Sequence, residues 1–181
     1  MKINPVDKYR AAKSGEEILR MCEARVAQAG WPDQVAVVMG AVLCAQRVIH
    51  LTGRQRLLAE AALSAARAWA VCPCVDHKRA ARRVARAAYG EIKWEPGCGA
   101  CIYAAEAATR VAGARMAPKA AYAAATSAGS IEMAMRGDLK TNYERAVAAQ
   151  TAEECAQVKL LYKHFACWPS LAGKESQPNA I

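Results

Sequence analysis

Aromatic side chains are scarce in this chain: they make up 6% of its 181 residues, and Phe165 is the only phenylalanine. Hydrophobic residues nevertheless reach 54%, so the apolar content is largely alanine. Alanine buries little area per residue, but it favours helix and lets helix axes approach closely. No stretch carries the alternating pattern of a strand. The expected fold is therefore all-α, either a multi-helix bundle or a short helical-repeat array.

Long apolar runs are also lacking. The most apolar segment, Val35 to Ala45, is interrupted only by Gly40, and it is shorter than the roughly 18 residues a membrane span requires. It reads as a buried helix, with no membrane partner. The first residues, Met1-Lys2-Ile3-Asn4-Pro5-Val6-Asp7-Lys8, have no apolar core of a secretory signal, so the expected setting is cytoplasmic. Catalytic signatures are missing as well: no paired acids, no nucleophile with a base, no G-x-x-x-x-G-K-[ST] and no H-E-x-x-H. Gly97-Cys98-Gly99 is too short for a dinucleotide fingerprint. A non-enzymatic role is expected.

What the chain does hold is charge and sulfur. The formal net charge is +9, which keeps nucleic acid, anionic surfaces and acidic proteins open as partners. In a reducing cytoplasm its eight cysteines read as core fillers or metal ligands before they read as disulfides. Four of them crowd into Cys72-Pro73-Cys74-Val75-Asp76-His77 and Pro96-Gly97-Cys98-Gly99-Ala100-Cys101. The two-residue gaps in Cys74/His77 and Cys98/Cys101 let each pair reach one tetrahedral ion. A helix from Lys78 to Tyr89 is roughly 18 Å long, and Gly90 to Gly97 can span roughly 26 Å on the way back. The expected site is a structural zinc held by Cys74, His77, Cys98 and Cys101, with Cys72 as alternate ligand. Two other readings stay open: small apolar residues in a tight alanine core, and a redox pair.

The chain divides into helical segments. Ser14-Gly15-Glu16-Glu17 has a capping-box pattern that opens helix one, which ends at Gly30. Asp33 can cap a second helix that runs to Thr52-Gly53. A third runs from Arg54 to Val71, with Leu58, Ala61, Ala62, Ala65 and Trp69 as its packing stripe, and Pro73 stops it. Asp76 can cap the fourth, which Gly90 ends. There Ala81, Ala85 and Ala88 share one side, and Lys78, Arg79, Arg82, Arg83 and Arg86 form a basic face for a phosphate or a partner protein. Cys101 to Ala112, Pro118 to Met135 and Thr141 to Phe165 complete the set; the last carries the stripe Tyr143, Val147, Val158, Leu161 and Phe165. Laying Ala61, Ala65, Ala68 and Trp69 over Ala81, Ala85, Ala88 and Tyr89 gives a weak internal repeat. Residues 1–168 read as one helical domain, and 169–181 as a flexible tail.

Asp76, Arg79, Ala81, Ala85 and Tyr89-Gly90-Glu91-Ile92, followed by the alanine-striped Cys101 to Ala112 segment, resemble the alanine-rich helical immunity proteins of bacterial toxin systems and their phage relatives. The resemblance runs from about Ala61 to Phe165 and does not include the cysteine cluster. It implies a stoichiometric inhibitor that covers the working surface of a protein such as a toxin or a defence nuclease, an anti-CRISPR protein being one example of the kind. The alternative is a basic nucleic-acid-binding protein that uses the Arg79 to Arg86 helix.

Overall fold

A computed structural model describes residues 11–29, 31–91, 96–109, 116–135 and 138–166. Seven helices carry nearly all of them: α1 (Gly15–Ala29), α2 (Trp31–Val48), α3 (Arg56–Val71), α4 (Val75–Glu91), α5 (Cys98–Ala107), α6 (Met116–Met133) and α7 (Leu139–Ala166). Two short 3-10 turns, Ile49–Leu51 and Gly53–Gln55, join α2 to α3. Among the described residues there is no strand. The expected tail, 169–181, lies outside them.

Local chemistry sets the helix starts. Ser14 caps α1, its hydroxyl accepting the Glu17 N–H at 3.2 Å, while the Glu17 carboxylate takes the N–H of Lys13 at 2.8 Å, one residue further back than a standard capping box. Asp138 caps α7 by accepting both the N–H and the hydroxyl of Thr141, and those bonds hold its carboxyl below the usual carboxylate range. Gly90 does not end α4, which continues to Glu91. Helix α5 begins at Cys98, three residues earlier than the sequence pattern suggested, because Gly97 turns the chain at φ 80° immediately before it.

The short α5 is the centre of the bundle. It packs against α2, α3, α4 and α6, and Cys98, Ala100, Cys101, Ile102, Ala104, Ala105 and Ala107 are all buried. Only Gly99, Tyr103 and Glu106 are half-buried, as expected of a helix apolar on nearly every side. Helices α1, α2 and α7 pack onto α6, and one apolar core takes residues from all seven helices. In a repeat array each unit touches only its neighbours in sequence. Contacts such as α1 with α6 and α2 with α5 make this a bundle.

The weak repeat dissolves at the level of packing. On α3 the buried side is Ala59, Ala62, Leu63, Ala66, Trp69 and Ala70, while Ala61 is exposed. On α4 Ala81, Ala85 and Ala88 do face the core. Thus the two helices do not present the overlaid positions alike.

Helix α2 supplies much of the core with Ala36, Val37, Val38, Ala41, Val42, Cys44, Ala45 and Val48. By length and composition Gln34–Leu51 would suffice to cross a membrane, yet 56% of that window is buried inside the bundle. One polar network ties α2 to the other long helices. The Arg47 guanidinium donates to both carboxylate oxygens of Glu153, at 2.8 and 3.1 Å. The buried Gln157 amide donates to Glu153 and to the Ala121 carbonyl, each at 3.2 Å. A forked guanidinium–carboxylate pair fixes direction as well as distance, so this network sets how α7 lies across α2 and α6.

Candidate metal centre

The loop between α3 and α4 is built by Pro73. Helix α3 ends as Cys72 turns to an extended conformation (φ −134°, ψ 92°), its N–H still bonded to the Ala68 carbonyl. The Cys74 N–H then reaches back to the Cys72 carbonyl at 2.8 Å. That i→i+2 bond is a γ-turn, for which proline's fixed φ is well suited. Helix α4 starts at once, with the Lys78 N–H on the Cys74 carbonyl at 3.1 Å. Cys74 therefore occupies the capping position expected for Asp76, which lies in the first turn and pairs loosely with Arg79 at 3.6 Å.

This arrangement gathers three donors. The sulfurs of Cys72 and Cys74 and a ring nitrogen of His77 lie within 4.8 Å of one another. Cys74 Sγ is 3.4 Å from His77 Nδ1, and that nitrogen is 2.8 Å from the Cys72 carbonyl. A carbonyl only accepts, so in this state Nδ1 carries the proton. The first-turn N–H groups of His77 and Asp76 point at Cys74 Sγ, and Cys72 donates its S–H to the same atom. These donors, the His77 amide first, hold the Cys74 thiol below its ordinary range against the opposing charge of Asp76. Cys72 is pushed up, because it gives its hydrogen to Cys74.

The donor set fits a soft or borderline ion. A tetrahedral zinc with Zn–S near 2.3 Å and Zn–N near 2.0 Å holds its ligands about 3.5–3.8 Å apart, against 3.4 Å between Cys74 Sγ and His77 Nδ1 and at most 4.8 Å across the group. Binding at Nδ1 would release its proton and its bond to the Cys72 carbonyl.

The expected four-ligand set is corrected on two positions. Cys98 and Cys101 are fully buried on the first turn of α5 and do not belong to the group. Cys98 Sγ donates weakly to the Thr52 carbonyl at 3.9 Å. Burial, helped by Cys98 beside it, pushes the Cys101 thiol up to about 12. Their three-residue separation, read as a ligand gap, is equally the spacing of one helix face. Cys72, held as the alternate, joins Cys74 and His77 in their place. Among the described residues the group offers three protein donors, one fewer than a closed tetrahedral site takes.

The remaining cysteines and histidines divide by burial. Cys22 and Cys44 are in the core, and Cys155 is exposed on α7; Cys167 lies outside the described residues. Burial and the nearby Glu153 raise the Cys44 thiol far above its usual range. His50 is exposed. His164 packs its ring on Phe165 and meets the Ala36 carbonyl at 3.0 Å, and burial lowers its pKa.

Next to the three donors, α4 presents its basic face as expected. Lys78, Arg79, Arg82, Arg83 and Arg86 are all exposed. Asp76 and the four arginines line a surface groove of about 530 Å³.

A second surface was missed in the sequence. Leu139, Tyr143 and Val147 are 74%, 62% and 47% exposed, and their i, i+4, i+8 spacing puts them on one side of α7. Met133, the last residue of α6, and Met135 just beyond it are also exposed, and the Asn142 amide donates to the Met135 carbonyl at 2.7 Å, which holds that segment against the first turn of α7. Tyr143 and Val147 belong to the stripe that the sequence pattern draws along this helix, yet the fold leaves both exposed. The signal that could have separated them is the line of Asn142, Ala146, Glu153 and Gln157, which is the side of α7 that is actually buried.

Comparisons with protein-family models, with curated proteins and with solved structures each return no match for this chain.

Proposed function

We propose that this chain is a non-enzymatic binding protein that inhibits a partner protein stoichiometrically, in the manner of immunity or phage anti-defence proteins, the anti-CRISPR kind included. The observation that carries the reading is the exposed apolar face of Met133, Met135, Leu139, Tyr143 and Val147. Apolar side chains collected on one exposed face, aromatic and methionine among them, are characteristic of protein contact surfaces. In this reading the face docks on the target, a toxin or a defence nuclease. A zinc ion on Cys72, Cys74 and His77 fixes the junction of α3 and α4.

The test uses two baits in a bacterial lysate, the native chain and Leu139→Glu/Tyr143→Glu. The account expects a protein retained at one-to-one stoichiometry by the native chain, inhibited by it at that ratio, and lost from the double variant. Equal retention by both baits, or recovery of nucleic acid alone, would sink it.

The groove of Arg79, Arg82, Arg83 and Arg86 favours a second reading, nucleic-acid binding through phosphate contacts. Such contacts release counterions, so affinity should fall steeply with added salt. Oligonucleotides that show no salt-sensitive binding at low ionic strength would end that reading.

A further inference from the structure

The cysteines of the described chain fall into two populations. Cys22, Cys44, Cys98 and Cys101 are buried, beyond the reach of solutes. Cys72 and Cys74 are exposed and are held together by the turn at Pro73, whose 2.8 Å hydrogen bond from the Cys74 N–H to the Cys72 carbonyl shortens the span between the two residues. A disulfide bridges Cα atoms about 4.4–6.8 Å apart, and a turned three-residue segment approaches that range where an extended one exceeds it. Their sulfurs already lie within 4.8 Å of each other. Side-chain rotation then closes the remaining gap.

We propose that Cys72 and Cys74 are a dithiol–disulfide modification site that exchanges with low-molecular-weight disulfides such as glutathione disulfide. The Cys74 sulfur, its proton given to solvent, attacks one sulfur of glutathione disulfide. That S–S bond breaks, and one glutathione thiolate leaves. The Cys72 sulfur, likewise deprotonated, attacks the Cys74 sulfur of the mixed disulfide, forms the Cys72–Cys74 bond and expels the second glutathione thiolate. Two cysteine thiols are oxidised, one glutathione disulfide is reduced to two thiols, and the two protons released by the cysteines balance the two thiolates. The product consumes both sulfur donors of the metal centre and leaves only His77. An exposed disulfide in so small a ring is readily reduced again.

The test is run in chelator, so that its outcome is independent of metal binding and of the partner protein. Full-length chain carrying Cys155→Ser and Cys167→Ser is incubated with glutathione disulfide, quenched with acid and alkylating agent, and mapped by mass spectrometry. The expected product has lost two hydrogens, retains no glutathione, maps to the peptide containing Cys72 and Cys74, and reverts with dithiothreitol. With Cys72→Ser added, glutathione should remain attached to Cys74. Retention of glutathione on the parent chain without an internal disulfide would overturn the proposal, and so would no reaction, or equal reaction of the buried cysteines.

Discussion

Gly97→Ala should destabilise the chain by about 3 kcal/mol, since two penalties combine at this position. Gly97 sits at φ 80°, ψ −30°, where an L side chain is strained by about 1–2 kcal/mol. A Cβ there would stand 2.5 Å from the Val48 carbonyl oxygen and 3.0 Å from Thr52 Cγ2. A backbone oxygen at the end of α2 cannot yield without moving the helix. The Gly97 N–H, bonded to Ser127 Oγ at 2.7 Å, holds the residue in place from the other side. For a chain of this size the loss corresponds to a melting temperature roughly 6–12 °C lower. Urea unfolding of the variant should show it as a lower midpoint; a midpoint within error of the native one would mean that the turn before α5 is not built as described.

Phe165→Ala should cost about 4 kcal/mol, the sum of lost transfer energy and the cavity left behind. Phe165 is the largest fully buried side chain among the described residues. Gly40 makes room for it: a Cβ on Gly40 would lie 3.1 Å from the Phe165 ring and from Leu161, and 2.9 Å from Leu19. Tyr143→Ala, on the exposed half of the same helix, should change stability by no more than about 0.5 kcal/mol. Measuring both by urea unfolding separates the two halves of α7. Similar losses from the two substitutions would contradict the division into a packed end and an exposed end.

Helix α7 also shows where sequence reasoning works and where it stops. Its apolar stripe is real at helical spacing, but only Leu161 and Phe165 reach full burial. Before them along the helix the buried side is Asn142, Ala146, Glu153 and Gln157, and of these Glu153 meets Arg47 of α2 and Gln157 the Ala121 carbonyl of α6. A hydrophobicity pattern ranks side chains by type, and cannot anticipate that Arg47 will take a carboxylate into the bundle. Composition made the all-helical class legible, and caps and prolines placed most helix ends within a few residues. Two of the three candidate metal donors, Cys74 and His77, were legible for the same local reason, with Cys72 as the alternate. Cys72, Cys74 and His77 are positioned by one turn and one helix start, both set by nearby residues. Cys98 and Cys101 are positioned by four neighbouring helices, and a two-residue gap in sequence carries no information about those.

The central claim is that the chain's metal chemistry resides at Cys72, Cys74 and His77 and not in the core. Untagged protein should be loaded with zinc, dialysed and assayed for zinc by elemental analysis, with circular dichroism confirming that each variant is folded. The account predicts about one zinc per chain in the native protein, a sharp loss in Cys74→Ser and His77→Ala, and native zinc content in Cys98→Ala. A folded Cys98→Ala chain that loses its zinc, or a native chain that holds none, would contradict it.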